Sequence, residues 1–405
     1  MAFPTVMPAF FVENSWSFLF YAVIIAIIVL LRHKIEWQVF GIGLYKTKVG
    51  LKLMEKMGTK YRGLVQLLGY IGLGVGFVGM GFIVFTLLSG LWNLMFNPAA
   101  PAVISPILPG FHIPGTDLKV PLITGWLALF IVVVIHEFSH GVVSRAHNVP
   151  VKSSGLLIFG PIGGAFVEPD EKTLAKQPET VKYSLFAAGP FSNIVTGLLF
   201  ALFSAFVILP LLVFMTMPAG VEITSVVPDY PAANASLGAG MIITGINGAA
   251  VVDNAQLSAQ LDKVRAGDSL LITVEKSDGV VAEYSVLTTQ NPNDATSTKG
   301  YVGINLLAKR DPKVDAVWYQ GLIITLRWLQ EFFKWLLILS LGLGLANLLP
   351  IGPVDGGQML RQACYQVTGD SKKGGKGDWW WAKISWVTLA IIIVLLIIPI
   401  AKAIL

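Results

Sequence analysis

Residues 120–140 read VPLITGWLALFIVVVIHEFSH, an apolar run that ends in a His-Glu-Phe-Ser-His motif. On a helix, residues four apart lie one turn above each other, so His136 and His140 point the same way. Two imidazoles in that register can bind one zinc ion, and the adjacent Glu137 can act as a general base. Because the preceding residues are too apolar for water, the motif predicts a metalloprotease centre within or against a lipid bilayer.

The composition of the chain is that of an integral membrane protein. Of its 405 residues, 54% are hydrophobic and 13% are charged, and the mean hydropathy is +0.69. Soluble domains carry about 25% charged residues. The formal net charge of +5 is modest and spread along the chain, so we expect a lipid bilayer and no nucleic acid as partner. The single cysteine, Cys364, excludes an internal disulfide.

Six apolar segments are candidates to cross a bilayer, which takes roughly 17 to 25 predominantly apolar residues per helix. They fall at residues 15–31, 64–92, 120–143, 183–217, 317–348 and 379–405. The predicted fold class is therefore a polytopic α-helical membrane protein with about six transmembrane helices and a small inserted α+β domain.

The charges of the loops orient these segments. The loops at 32–63 and 361–377 are rich in Lys and Arg, whereas 93–118 carries almost no charge. Cytoplasmic loops carry the excess of basic residues. An outside N-terminus, with 32–63, 144–182 and 349–378 in the cytoplasm, satisfies that rule. We expect a multi-pass protein of the cell membrane whose His-Glu motif lies near the cytoplasmic side.

Residues 219–290 differ in kind from the apolar segments. Short runs that alternate apolar and polar residues (GVEITSVV, MIITGING, LLITVE, AEYSVLTT) predict a small α+β domain outside the membrane. The order of its elements resembles the PDZ domains of bacterial and archaeal proteases, which bind extended peptides or chain termini by strand addition. The alternative is a spacer that excludes bulky substrates.

The chain then divides into four predicted segments. They are a two-helix membrane region with a basic loop at 1–118, catalytic-core helices at 119–217, the PDZ domain at 218–300 and C-terminal membrane helices at 301–405.

A zinc site with two His ligands needs a third protein ligand and keeps one position for water. Asp355 is the candidate, because it follows the fifth apolar segment on the side where the third segment delivers the two histidines. His33 and His112 lie in distant loops, and His147 sits two turns beyond the motif. The competing interpretation of Asp355 is an acidic turn at a helix end, formed with the Pro and Gly residues around it.

Glycines in the second segment resemble a nucleotide motif by their letters alone. Gly74-x-Gly76-x-x-Gly79 fits a dinucleotide fingerprint, but it lies inside an apolar span with no strand before it. It predicts a helix-packing face instead, with Gly72 and Gly76 as a close-approach pair. Three tryptophans at 379–381 are typical of residues that anchor a span at the membrane interface.

Three ordered motifs carry a resemblance to a known family, the site-2 proteases, which are intramembrane zinc metalloproteases. The motifs are HEFSH at 136–140, AAGPFSN at 187–193 and NLLPIGPVDGG at 347–357. The resemblance covers most of the chain from the third span onward and includes a PDZ domain inserted between the second and third core helices. The family's pattern places Leu before the ligand Asp, where this chain has Val354, one apolar residue for another.

The resemblance implies one catalytic Zn2+ ion and assigns roles to single residues. The ligands it implies are His136, His140 and Asp355, and the base is Glu137. Asn347 and Asn193 match two Asn positions of the family's pattern, and either amide could donate to the oxyanion or hold the substrate backbone. For Asn193 an interhelical hydrogen bond is an equally good interpretation.

Residues 155–173 (GLLIFGPIGGAFVEPDEKT) alternate Gly with apolar β-formers and then turn acidic. Such a sequence suits a hairpin at the membrane interface. In the family a corresponding element receives the substrate as an added strand, which exposes peptide bonds that a helix would hide. The candidates for this substrate-binding edge are Gly163, Gly164, Ala165 and Phe166, and the alternative is an ordinary interfacial loop.

The predicted activity is hydrolysis of a peptide bond in or near a transmembrane segment of a membrane protein. The substrate would be a membrane-tethered regulator released by a second cut, or remnants of signal peptides. A competing class is a PDZ-containing membrane receptor with a structural metal site, which would not need Glu137. A metal transporter would need more intramembrane carboxylates or histidines than this chain carries.

Overall fold

The computed structural model describes residues 6–38, 41–96, 104–114, 116, 118–292 and 297–404. Part of the uncharged loop predicted at 93–118 therefore lies outside the described residues. The chain folds into two compact units. The first unit is Met1–Ser204 with Glu331–Leu405, and the second unit is Ala205–Gln330.

Helices make up most of the described chain. The α-helices are α1 (Val6–Glu13), α2 (Ser15–Leu31), α3 (Leu51–Lys60), α4 (Arg62–Phe96), α5 (Leu122–Ala146), α6 (Glu171–Ala175), α7 (Glu179–Phe203), α8 (Leu209–Met215), α9 (Pro231–Asn234), α10 (Asn254–Leu261), α11 (Val317–Asn347), α12 (Asp355–Thr368) and α13 (Lys376–Ile404). A 3-10 turn at Arg32–Lys34 follows α2, and a π-helical turn at Ser204–Ile208 joins α7 to α8.

Six helical segments of the described chain are long and apolar enough to cross a membrane. They are Ser15–Lys34, Arg62–Phe96, Leu122–Ala146, Glu179–Met215, Val317–Asn347 and Lys376–Ile398. The prediction of a polytopic membrane protein with about six spans is confirmed.

Helix α4 packs through a stripe of glycines. Gly69, Gly72, Gly76 and Gly79 are buried and recur at the spacing of one helix face. A Cβ at Gly76 would lie 3.2 Å from the Cβ of Ala187 in α7, so the two backbones approach closely at this level. Gly74, on another face, has nothing within 4 Å of the same position. The buried glycines form a helix-packing face that includes the predicted pair Gly72 and Gly76, whereas Gly74 of the predicted run does not belong to it.

A four-stranded antiparallel sheet belongs to the first unit. Its order is β1 (Glu36–Trp37), β2 (Ile42–Thr47), β3 (Val151–Phe159), β4 (Ile162–Pro169). The predicted hairpin is β3 and β4. The basic loop supplies β1 and β2, which the sequence analysis did not predict. Thr47 pairs with Ser154, 107 residues later, and such a partner is invisible to local sequence pattern.

The second unit contains a six-stranded sheet. Its strands are β5 (Thr216–Val226), β6 (Ile242–Ile246), β7 (Ala249–Ala250), β8 (Ser269–Glu275), β9 (Val281–Leu287) and β10 (Ile304–Pro312), in the order β10-β5-β6-β8-β9 with β7 paired to β6. The four alternating runs of the sequence are all strands here, packed on a core that includes Ile223, Ile243 and Leu270. Strand β10 extends the sheet beyond the predicted domain end at residue 300. The PDZ assignment and the four domain boundaries stay predictions.

Replacing Gly76 by Val should destabilise the protein, and replacing Gly74 by Val should not. At Gly76 the added atoms meet Ala187 and Met359, and overpacking of this kind costs about 1–3 kcal/mol. At Gly74 the Cβ of a valine would meet no packing partner within 4 Å. Because both variants place a β-branched residue in α4, the effect of valine on helix propensity is the same in both, and the difference between them measures packing alone. Thermal unfolding in detergent micelles measures the difference, and equal melting temperatures would contradict the packing assignment.

Candidate metal centre

Helix α5 presents His136 and His140 one turn apart, and both side chains are buried. Their Nε2 atoms lie 3.0 and 3.4 Å from Oδ2 of Asp355. One ligand atom from each of the three residues lies within 4.8 Å of the others. Among the described residues this is the one group of three or more His, Cys, Asp or Glu side chains placed to hold a metal ion.

A tight turn between α11 and α12 delivers Asp355 to the histidines. Since α12 begins at Asp355, its carboxylate lies at a helix N-terminus, where the helix dipole favours negative charge. Gly356 and Gly357 permit the turn, because a Cβ at either position would collide with backbone carbonyls of residues 348–352. The indole Nε1 of Trp381 in α13 donates to the Gly357 carbonyl at 2.9 Å and ties down the first turn of α12.

Asp355 is held in its ionised form. Burial raises the pKa of its carboxyl, but the positive charge and hydrogen bonds of protonated His140 and His136, where a bound cation would otherwise stand, outweigh burial and lower the pKa to about 2. A carboxylate must be deprotonated to bind a metal, so Asp355 is in the state that ligation requires.

The residues present fit a tetrahedral zinc ion. Two imidazole nitrogens and one carboxylate oxygen are zinc donors that leave a fourth position open. The space between them is kept free by Gly189 of α7, where a Cβ would lie against the Nε2 atoms of both histidines. A glycine is therefore required at this point of closest approach between α7 and the ligands.

The same helix sets the orientation of His140. The Nδ1 atom of His140 lies 2.7 Å from the carbonyl oxygen of Leu185, which can only accept, so Nδ1–H donates to it. In the neutral imidazole the proton is then on Nδ1, and Nε2 faces the cluster with a free lone pair. That is the tautomer a metal ligand needs.

Asn193 of α7 plays the equivalent part for His136. Its Nδ2 atom lies 3.0 Å from Nδ1 of His136, the side chain is fully buried, and its Oδ1 has no hydrogen-bond partner among the described residues. Turning the amide by 180° keeps its shape and lets Oδ1 accept from Nδ1–H. His136 Nε2 is then also free for a metal. This contact favours the interhelical hydrogen bond among the interpretations of Asn193.

Glu137 faces away from α7, toward the sheet. Its Oε2 accepts a hydrogen bond from the backbone N–H of Val167 in β4 at 3.1 Å. Strand β4 thus holds Oε2 in place, and Oε1 is the carboxylate oxygen that could accept a proton. The contact joins the candidate base to the strand predicted to bind substrate.

The other predicted site residues lie in strand β4 and at the end of helix α11. Gly163 to Phe166 all lie in β4, the strand that Glu137 contacts. Asn347, the last residue of α11, donates from Nδ2 to the Leu343 carbonyl at 3.1 Å, so its catalytic role stays a prediction. Gly189, Leu185 and Trp381 were not predicted from the sequence as parts of the site. The small residues of AAGPFSN were the available signal for Gly189, and nothing local marks the other two.

Six apolar helices and a cluster of two buried histidines with the half-buried Asp355 define a multi-pass membrane protein with a candidate metal centre. Residues 124–392 match the model of peptidase family M50. The match covers more than half of the chain, so the chain belongs to peptidase family M50, the site-2 protease family, as the three motifs predicted. It is accordingly a membrane metalloprotease. The chain is also similar to an uncharacterised protein of Methanocaldococcus jannaschii, 28% identical over 351 residues that cover 85% of this chain and 84% of the relative.

Gly189→Ala should abolish zinc binding without unfolding the protein. The added methyl group would occupy the space between the two imidazoles, so we expect zinc content to fall to the level of Asp355→Ala, which removes a ligand. Gly197→Ala is the matched control. Gly197 also lies in α7, and its added Cβ would meet the Ser340 side chain of α11 at 3.0 Å, away from the histidines. Elemental analysis of purified protein decides. Full zinc content in Gly189→Ala would refute the space assignment, and full content in Asp355→Ala would rule out that ligand.

Asn193→Ala and Asn193→Asp should behave differently. If Asn193 acts as the acceptor for His136, aspartate replaces it and keeps zinc affinity, while alanine lowers affinity about 10- to 100-fold. If Asn193 instead donates to the substrate, both variants lose activity with zinc affinity unchanged. Zinc titration against a competing chelator, run beside a cleavage assay, separates the two outcomes.

Proposed function

We propose that this protein is a zinc endopeptidase that hydrolyses peptide bonds in or near transmembrane segments of membrane proteins. The observation that carries the proposal is the cluster of His136, His140 and Asp355, with Glu137 beside it and hydrogen-bonded to an edge strand. A structural metal site would not require that glutamate. The basic loops support a location in the cell membrane, with the centre near the cytoplasmic side.

The metal and the base divide the chemistry. Bound Zn2+ would supply Lewis acidity, which lowers the pKa of a bound water toward about 7 and polarises the scissile carbonyl. Glu137 accepts the proton of the attacking water and passes it to the leaving amine. The Val167 N–H holds Oε2 of Glu137, so Oε1 is the atom that carries the proton.

The outer edge of β4 is suited to receive an extended substrate. In an antiparallel pair, residues alternate between those bonded to the neighbour and those whose N–H and C=O point away. Val167 points away from β3, toward Glu137, so Ala165 and Gly163 point away as well. Of the four predicted edge residues, these two would bond to a substrate strand, while Gly164 and Phe166 bond to β3.

Asn347 is the candidate donor for the oxyanion. Its Nδ2 carries two protons, and the Leu343 carbonyl accepts one of them. The second proton is available to a substrate carbonyl. Asn193, by contrast, is committed to His136 in this proposal.

The six-stranded sheet of the second unit would act as a PDZ domain outside the membrane. Its strands and helix α10 occur in the order that the resemblance predicts, and such domains bind an extended peptide or chain terminus. In this role it would recruit membrane-protein substrates, or exclude those with bulky external domains. Tethered regulators and signal-peptide remnants are the substrate classes that fit a site within the bilayer.

Glu137→Gln should cut the cleavage rate at least about 100-fold, the typical contribution of a positioned general base. Zinc content should stay unchanged, because Glu137 is not one of the proposed ligands and a glutamine side chain keeps the hydrogen bond from Val167. The assay uses purified protein in liposomes with a model transmembrane substrate, and Glu171→Gln in α6 serves as a control. A cleavage rate of Glu137→Gln equal to that of the wild type would contradict the proposed mechanism.

A further inference from the structure

One face of the four-stranded sheet borders a cavity of about 330 Å³ beside Glu137. The strand register decides which side chains share that face, because paired residues on neighbouring strands point the same way, as do residues two apart on one strand. Two such rows line the cavity. Tyr45, Leu156 and Ala165 form the first row, and Thr47, Ser154 and Val167 form the second.

Helices line the other side of this open cavity with apolar side chains. Phe130 and Val134 lie one turn apart on the face of α5 that leads to Glu137, and Met54 comes from α3. The volume falls within the usual range of ligand pockets, which begins at about 300 Å³. The cavity therefore has room for a bulky group and direct access to the candidate base.

The short hydroxyl side chains of the lining are already engaged. Thr47 Oγ1 donates to the Ser154 carbonyl at 3.1 Å, and Ser154 Oγ donates to the Val49 carbonyl at 2.6 Å. Apart from the Tyr45 hydroxyl and the Glu137 carboxylate, the side chains that an occupant meets here present carbon surface or hydroxyls that are already bonded. The chemistry of the lining thus selects an apolar occupant.

We infer that this cavity is the pocket for one large apolar side chain of the substrate, and that Ala165 sets its size. The inference rests on the proposed addition of the substrate to the outer edge of β4. A substrate residue paired with Ala165 places its side chain on the same face as the row of Tyr45 and Leu156, and hence in the cavity. Ala165 contributes only a methyl group to that row, so the space beside it stays free for Leu, Ile, Met or Phe.

The pocket lies close to the bond that is cut. Val167, two residues from Ala165, is hydrogen-bonded to Glu137, and two strand residues span about 7 Å. The side chain in the pocket therefore belongs to a residue within about two positions of the scissile bond. The enzyme would select substrates by one apolar residue there, in segments where apolar residues are abundant.

A series of substrates tests the inference. The measured quantity is the kcat/KM of each altered substrate divided by the kcat/KM of the unaltered one. The full-length protein in liposomes is given a transmembrane substrate with Leu→Ala at each residue flanking the cleavage site. With wild-type protein, one position should lower kcat/KM about tenfold or more, as expected when an apolar pocket loses its side chain. With Ala165→Leu, which fills the pocket, the same substrate change should have little effect.

Two further variants guard against a local folding defect in Ala165→Leu. Val134→Phe narrows the same cavity from the α5 side and should weaken the same preference. Leu157→Phe adds volume to the opposite face of the sheet and should leave the preference at its wild-type value.

Crosslinking gives a readout that does not depend on cleavage. The chain has one cysteine, Cys364, which is buried. In a Glu137→Gln background, Ala165→Cys should form a disulfide with a cysteine at the preferred substrate position, since the Cα atoms of such a pair lie about 5.5 Å apart, within the range of about 4.4–6.8 Å that a disulfide spans. Leu157→Cys, on the other face, should not crosslink.

The outcomes separate the two proposals. Suppose that the wild type cleaves, that Ala165→Leu slows all substrates equally and that no crosslink forms. The cavity then holds no substrate side chain, and the inference is overturned. A lipid acyl chain would be one other occupant. If the crosslink forms but the wild type cleaves nothing, the pocket stands and the proposed protease function fails. A position-specific preference that disappears in Ala165→Leu supports both.

Discussion

Burying two imidazoles and a carboxylate in an apolar interior is costly unless their remaining polar atoms have partners. In this protein helix α7 supplies those partners by lying against α5. The Leu185 carbonyl accepts from His140, and Asn193 lies at Nδ1 of His136. The approach is possible because position 189 has no side chain. The candidate metal centre, the tautomers of its candidate ligands and the packing of α5 on α7 all depend on this one contact.

The sheet adds a second constraint, between the candidate base and the substrate. Glu137 is fixed by a backbone N–H of β4, so the edge that would align a substrate also orients the residue that would activate water. Any displacement of the strand moves both. The face of the sheet turned toward α5 then determines which side chains can lie beside the scissile bond, because strand register places alternate residues there.

Local sequence patterns predicted much of this architecture. The six apolar spans, the hairpin after α5 and the alternating runs of the second unit follow from hydropathy and period, which act over short stretches of chain. Strands β1 and β2 were missed because their stability comes from pairing with β3, more than 100 residues away. The role of Trp381 was missed for a similar reason, since a hydrogen bond to the Gly357 carbonyl leaves no trace in either segment.

The amino-acid sequence by itself determined that the chain spans a membrane and that His136 and His140 share a helix face, and it made Asp355 the candidate for a third ligand. It could do so because hydropathy, helical period and loop charge are properties of neighbouring residues. Only the tertiary structure decided that Gly189 leaves space beside both histidines, that Asn193 contacts His136, and that Glu137 contacts the edge strand. Those relations depend on the distances between separate helices and strands, which packing sets and no local pattern encodes.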